Sequence, residues 1–259
     1  MSVTSGRKWK RSTAVCLSIC LIVTAFWFTY GRPIVFLLMI RRDLRNTPEL
    51  WVVPRPLPDT PAGLPAGKTL SYFGYEFDSP WTEVGEVKQA KSLAFVYFSE
   101  GQMIGIFDPA QLPDLVGMLK QGDGQSSSGR SAVLTERATA SNYALRSTIL
   151  NLTPGDLRIS FFRRQMLTNS VLLMMKEVET PSIRDGIFSF ETNWFRGFQE
   201  GDPARDAMVI IYGYDAEDRE IEVWVGSKRG AKNRPTQADV DCVLYSLRPV
   251  AASDDKQSI

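Results

Sequence analysis

The pattern of hydrophobic and polar positions divides the chain into an apolar N-terminal stretch, a proline-rich segment and a longer region of strand-like and helix-like runs. Residues 12–30 contain no charged residue and follow the basic cluster Arg7, Lys8, Lys10 and Arg11. As a helix, this stretch would be about 28 Å long, close to the roughly 30 Å of a bilayer's hydrocarbon core. The sequence therefore predicts a basic leader over residues 1–11 and a transmembrane signal-anchor helix over residues 12–30.

Two other interpretations of residues 12–30 remain open, a cleaved signal peptide and a buried core helix. A cleavage site needs small residues just after a short apolar region, but the bulky Phe26, Trp27 and Phe28 directly follow Ala25. The retained anchor fits this order better. Basic residues on the two sides of the stretch nearly balance, yet a short basic leader favours a single-pass protein whose large domain lies on the non-cytoplasmic side.

The next segment, residues 31–68, is predicted to be a juxtamembrane and proline-rich linker. Its apolar stretch Pro33 to Ile40 is too short to cross a bilayer, so it is expected to lie in the interface or to prolong a tilted helix. Six prolines between residues 48 and 68 favour a semi-rigid polyproline II spacer. Three arginines after the apolar stretch are expected to contact anionic lipid headgroups, namely Arg41, Arg42 and Arg45.

From residue 69 the periodicity becomes that of strands. Residues 70–77 form one aromatic-rich run, and the apolar runs 93–99 and 102–107 flank Glu100-Gly101, which predicts a hairpin. Further strands are predicted over residues 187–191, 194–198, 207–214 and 220–225. Together these strands indicate an antiparallel sheet.

Helical periodicity predicts helices over residues 109–120, 141–152 and 154–178, and a last amphipathic helix that begins near Thr236. The glycine- and serine-rich residues 121–131 are expected to form a flexible loop, and residues 250–259 a disordered tail. The long third helix is expected to pack its apolar side chains in the core, and these are Phe161, Phe162, Met166, Leu167, Val171, Leu172, Met174 and Met175.

This order of elements predicts one domain of the α+β class over residues 69–249, with helices flanking the sheet. The domain resembles the PsbP-like α+β fold in three places. These are the opening segment Tyr75-Glu76-Phe77-Asp78-Ser79-Pro80-Trp81, the strand at residues 194–198 and the closing helix with Ser246-Leu247. The resemblance implies an accessory or assembly role, and it carries no functional residue over to this chain.

Composition narrows the chemistry that the chain can perform. Its 30 basic and 29 acidic residues give a net charge of +1. The protein as a whole therefore has no excess of positive charge that would attract nucleic acid. It has no histidine, which excludes Ser-His-Asp triads and histidine metal sites. Cys16, Cys20 and Cys242 can build neither a disulfide framework nor a thiolate metal cage. We therefore expect no metal and no cofactor.

The sequence favours a non-catalytic, membrane-anchored binding or assembly module whose partners are the lipid bilayer and another membrane or envelope protein. A basic stretch is a further candidate for contact with an anionic surface, and it contains Lys228, Arg229, Lys232 and Arg234. Two alternatives remain. An enzyme could use paired carboxylates, either Glu83 and Glu86 beside Trp81 or Asp202 and Asp206. A regulator that faces the cytoplasm is the other.

Overall fold

The structure is a computed structural model that describes residues 31–58, 63–64, 67–112, 114, 116–117, 140–157, 163–179, 186–228, 231 and 233–250. Its α-helices are α1 (Arg32–Arg45), α2 (Asn142–Asn151), α3 (Arg163–Glu179) and α4 (Gln237–Ser246). Its strands are β1 (Arg55–Pro56), β2 (Lys68–Tyr72), β3 (Tyr75–Ser79), β4 (Val84–Gln89), β5 (Leu93–Phe98), β6 (Gln102–Phe107), β7 (Ile187–Glu191), β8 (Arg196–Glu200), β9 (Met208–Tyr214), β10 (Glu220–Ser227) and β11 (Arg248–Pro249). Short 3-10 helices cover Pro48–Trp51, Pro109–Gln111 and Pro154–Asp156.

The main sheet has eight strands in the order β1-β7-β8-β9-β10-β6-β5-β4. Neighbouring strands run antiparallel except for β1, which pairs with β7 in parallel. Along β10, Ile221, Val223 and Val225 are fully buried and alternate with partly exposed residues, so one face of the strand is apolar. The predicted α+β domain with helices against a sheet is confirmed, although the sheet is mixed.

One face of the main sheet carries the principal apolar core. A second, three-stranded sheet with the order β11-β3-β2 and helix α4 cover this face. The core residues from the main sheet are Ala94, Val96, Phe98, Ile104, Ile106, Val209, Ile211, Ile221, Val223 and Val225. Helix α4 begins at a capping box in which Thr236 and Asp239 exchange hydrogen bonds, as the sequence predicts.

The opposite face of the sheet packs against the helical layer α1, α2 and α3. On strands β8 and β9, Phe198, Tyr212 and Tyr214 form a cluster with Leu150 of α2. Helix α3 then packs on α2 through Leu172 and on α1 through Leu173. The domain therefore has three layers, with the main sheet in the middle.

Some predicted elements differ from the structure, and one strand was not predicted. The helix predicted over residues 109–120 begins as the 3-10 helix Pro109–Gln111, which ends at an extended Leu112. Residues 70–77 form two strands, because Phe73 and Gly74 take positive φ angles of 54° and 82° and make a tight turn. The edge strand β4 was not predicted, since five of its six residues are exposed and show no alternation. The predicted helix over residues 154–178 is a 3-10 turn followed by the separate helix α3.

The proline-rich segment is partly docked on the domain. Leu50 is fully buried among Leu44, Leu157 and Leu173. Strand β1 then pairs with β7, and the Leu57 amide donates a hydrogen bond to the Ser189 carbonyl (2.8 Å). Proline is tolerated here because β1 is an edge strand. The sequence predicts a semi-rigid polyproline II spacer here, and the structure shows that Leu50 and residues 55–57 of it contact the domain.

Among the residues that the structure describes, no helix is both long and apolar enough to cross a membrane. The predicted leader and anchor, residues 1–30, lie outside the described part of the chain. The same is true of the predicted loop at residues 121–131 and of residues 251–259 in the predicted tail.

Candidate functional site

Helix α1 presents an apolar face to solvent. Val35, Leu38 and Met39 are 42%, 47% and 60% exposed, and the spacing i, i+3, i+4 places them on one side of the helix. Leu44 lies on the opposite side and is buried against α3 and the 3-10 helix at Pro48–Trp51. Packing on the domain therefore fixes the rotation of α1 with this apolar face outward.

Basic side chains follow the apolar face in α1. Arg41 and Arg42 are both exposed, and Arg42 continues the face of Val35, Leu38 and Met39 by one turn. Arg45 is the last residue of the helix, and the structure does not describe its side chain. An apolar face bordered by exposed arginines has the composition of a helix that lies in a lipid interface.

Helix α3, in the same helical layer, also exposes two apolar side chains. Leu172 is buried, as predicted, and Leu173 is buried as well, but Val171 and Met174 are 46% and 45% exposed. The core prediction is wrong for these two residues, because α3 packs between α1 and α2 and leaves its outer side to solvent. Phe161 and Phe162 lie outside the described residues, as do the side chains of Met166 and Leu167.

The predicted basic stretch after β10 is only partly described. Lys228 is exposed, and its Nζ lies 4.4 Å from the centre of the Tyr97 ring. Lys88 of β4 approaches the same ring at 5.4 Å. Arg234 is exposed, whereas Arg229 and Lys232 lie outside the described residues. The geometry places Lys228 on the sheet beside β4 and not on the helical layer that carries Arg41 and Arg42.

The paired carboxylates of the enzyme hypothesis take part in local structure. Glu83 accepts a hydrogen bond from the Ser99 hydroxyl (2.9 Å), whereas Glu86 is exposed and pairs with Lys88 (3.5 Å). These contacts leave the hypothesis of catalysis an untested prediction for this pair.

The second pair shapes its own loop. The Asp206 carboxylate accepts a hydrogen bond from the Asp202 amide (2.8 Å), and the Asp202 carboxylate accepts one from Ala204 (2.9 Å). Both acids therefore hold the turn between β8 and β9.

Sequence reasoning missed a buried ionic cluster beneath α2. Arg146 donates to the Tyr214 hydroxyl (2.7 Å) and to Glu220 (3.2 Å), and its Nη1 lies 3.6 Å from Glu200. Its guanidinium also stacks 3.6 Å from the centre of the Tyr212 ring. A signal was present, because the spacing of Tyr143, Arg146 and Leu150 puts the arginine in the buried stripe of α2.

Burial changes the acid-base behaviour of the residues around Arg146. Desolvation raises the pKa of the Tyr212 and Tyr214 hydroxyls far above the usual value, so both remain protonated. Desolvation also raises the pKa of the nearby Glu222 carboxyl, against the opposing hydrogen bond from Trp224. The cluster therefore stabilises α2 on β8, β9 and β10 through buried charge.

A second buried cation, Lys176 of α3, joins the helical layer to the segment between α1 and β1. Its ammonium lies 2.7 Å from the carbonyl oxygen of Val52, 2.8 Å from those of Leu150 and Leu152, and 3.3 Å from that of Leu50. Desolvation lowers the pKa of Lys176 to about 8. This contact fixes residues 50–52, and hence the path of the chain towards α1.

The described residues form cavities of different sizes, one of which, about 600 Å³, lies beside β1 and β7. Another, about 500 Å³, is formed at the strand ends near Phe73, Asn142 and Asp218. Asp218 accepts hydrogen bonds from the amides of Asn142 and Tyr143 and so caps α2. A smaller cavity, about 260 Å³, lies beside β4 and is called the edge cavity here. Its lining residues are Pro80, Trp81, Thr82, Glu83, Phe98, Ser99, Glu100 and Gln102.

Comparisons of the chain with protein families, with curated proteins and with solved structures find no match. Among the described residues, no group of three or more acidic, cysteine or histidine side chains could hold a metal ion.

Proposed function

We propose that this protein is a single-pass, membrane-anchored binding or assembly module. In this proposal residues 12–30 hold it in the bilayer, and the α+β domain binds another membrane or envelope protein on the non-cytoplasmic side. The exposed apolar face of α1 carries the proposal. Val35, Leu38 and Met39 begin five residues after the uncharged stretch ends, so an apolar surface continues directly from the predicted anchor.

The distribution of exposed apolar residues supports the same orientation. Of the eleven large hydrophobic side chains that are exposed among the described residues, seven lie in α1, in α3 and in the segment between α1 and β1, where Trp51 and Val53 lie. The other four are Val87, Trp194, Met208 and Val250. Water contact of such a surface is unfavourable, whereas a bilayer interface accommodates apolar and aromatic side chains beside arginines. The helical layer would then face the membrane, and the sheet with its cavities would remain accessible to a partner.

The docked linker also supports a module held close to the bilayer. The contacts of Leu50, Lys176 and β1 shorten the free chain between the anchor and the domain. A partner would therefore be bound near the membrane surface and in a limited range of orientations.

Membrane crosslinking followed by purification in mild detergent tests this proposal. We expect the full-length protein to resist alkaline carbonate extraction and to recover one membrane or envelope protein in a fixed ratio. A C-terminal reporter that is active only outside the cytoplasm should be active. Release by carbonate, an inactive reporter, or recovery of the protein alone would each contradict the corresponding part of the proposal.

A further inference from the structure

The two edges of the main sheet differ in what covers them. At one edge, the proline-containing strand β1 is already paired with β7 through the chain's own juxtamembrane segment. At the other edge, β4 is the last described strand, and five of its six residues are exposed. An exposed edge offers backbone amides and carbonyls to an extended segment of another chain.

The edge cavity lies at the beginning of this strand and has an aromatic wall. Trp81 is half-buried, and its ring centre lies 5.1 Å from that of Phe98. The Ser79 hydroxyl accepts a hydrogen bond from the Trp81 amide (3.1 Å) and donates one to the Trp81 carbonyl (2.9 Å), which fixes this residue. A fixed tryptophan ring can bind a cation on its face.

Two carboxylates give the edge cavity its charge. Glu83 accepts a hydrogen bond from the Ser99 hydroxyl. Glu100 accepts one from the Asn233 side-chain amide (2.8 Å) and a longer one from the Gln102 side-chain amide (3.4 Å). These hydrogen bonds from Asn233 and Gln102 lower the pKa of Glu100, so it is ionised at neutral pH. Among the residues that the structure describes, no basic side chain lines this cavity.

Gln102 provides the observation that points to a ligand. Gln102 lines the edge cavity although it is only 3% exposed. Within the described residues, its Oε1 atom is buried and has no hydrogen-bond donor. Because an unpaired buried acceptor is unfavourable, a donor that enters through the cavity would be stabilised there.

We propose that the edge cavity binds the side-chain ammonium or guanidinium of a partner protein whose extended segment pairs with β4. Glu83 and Glu100 would supply the opposite charge, Trp81 the aromatic face and Gln102 the acceptor. This inference rests on the proposed function, since it names the surface by which the module binds its partner.

A pair of peptides tests the inference on the full-length protein in lipid nanodiscs. The probe is acetyl-Thr-Val-Lys-Val-Thr-Ser-amide, and its control has norleucine in place of lysine. The protein is labelled with 5-fluorotryptophan and observed by fluorine NMR. The resonance of Trp81 is assigned as the one that is missing in the Trp81→Phe variant. We expect the lysine peptide to shift this resonance and to slow hydrogen exchange in residues 84–89, and the control peptide to bind at least about fivefold more weakly.

Matched variants separate the cavity from the strand beside it. Glu83→Gln and Glu100→Gln should each weaken the binding of the lysine peptide about two- to fivefold, which is the effect expected for the loss of one exposed ion pair. Glu86→Gln should leave binding unchanged, because Glu86 pairs with Lys88 and does not line the cavity.

Equal binding of both peptides, equal weakening by Glu86→Gln, or protection outside β4 would overturn the inference. Retention in membranes and partner recovery are measured separately, so these outcomes would leave the proposed function standing.

Discussion

The two faces of the main sheet are held by different forces. Against the small sheet and α4, the packing is mostly apolar and is built from residues such as Ile104, Ile211 and Val223. Its buried polar contacts include the hydrogen bonds that join Gln199 of β8 to Gln237 of α4, and Gln237 to the buried Asp241. Against the helical layer, the same sheet buries the charges of Arg146 and Glu200, and the layer itself buries Lys176 against the segment between α1 and β1. Apolar packing tolerates small changes of shape, whereas a buried charge requires its partners in place.

This difference assigns different tasks to the two faces. The apolar face stabilises the domain through contacts among the domain's own residues. The charged face holds the layer that continues into α1, and both buried cations lie in α2 and α3, the helices of that layer. We infer that the charged contacts fix the orientation of the helical layer, and with it the side of the domain that would face the bilayer in the proposed function.

The largest expected effect is at Arg146. Arg146→Met removes the guanidinium from the buried carboxylates Glu200 and Glu220, and this should lower the free energy of unfolding by about 3–5 kcal/mol. Denaturant unfolding, followed by tryptophan fluorescence, measures the loss.

A triple variant, Arg146→Met with Glu200→Gln and Glu220→Gln, is the matched control. It should recover at least about 1 kcal/mol of the loss, because no carboxylate is then left beside a missing cation. If the triple variant is less stable than the single variant, buried charge is not what distinguishes this face.

The next effect concerns pH and Lys176. Its pKa in the folded protein is about 8, below the ordinary value of 10.5 in the unfolded chain. The unfolded state therefore binds more protons between these values, so the contribution of Lys176 to stability rises from pH 8 to pH 10.5. The rise should be at most about 3 kcal/mol.

Lys176→Met isolates this contribution from other titrating groups. Burial raises the pKa of the Cys242 thiol to about 11, which acts in the opposite direction over part of the same range. The difference in unfolding free energy between the two proteins should therefore grow from pH 8 to pH 10.5. A constant difference would show that Lys176 is not charged and desolvated in the folded state.

The smallest effect is expected on the apolar face. Ile211→Val removes one buried methylene group and should cost about 1 kcal/mol at every pH at which the protein folds. Val171→Ala, at an exposed position of α3, serves as the control and should change stability by less than about 0.5 kcal/mol. A loss at Ile211 that varies strongly with pH would break the contrast between the faces.

The apolar face could largely be predicted from the sequence, because alternation in β5, β6, β9 and β10 marks the residues that point into it. The capping box at Thr236 likewise marked the start of α4. Strand β4 could not be found this way, since an exposed edge strand lacks alternation. The partners of Arg146 come from three strands distant in sequence, so only the tertiary structure brings them together. Of the residues that line the edge cavity, the sequence pointed only to Glu83 and its neighbour Trp81.

The orientation of the helical layer towards the bilayer is tested most directly by fluorescence quenching from within the membrane. Cys16, Cys20 and Cys242 are replaced by alanine, and one fluorophore is attached at Leu38→Cys in α1 or at Trp194→Cys in the turn between β7 and β8. The full-length protein is placed in anionic liposomes that contain a nitroxide-labelled lipid.

We predict strong quenching at position 38 and little at position 194, although both native side chains are exposed in the domain, at 47% and 54%. Equal quenching at the two positions, or stronger quenching at position 194, in protein that remains in the liposomes would contradict the account.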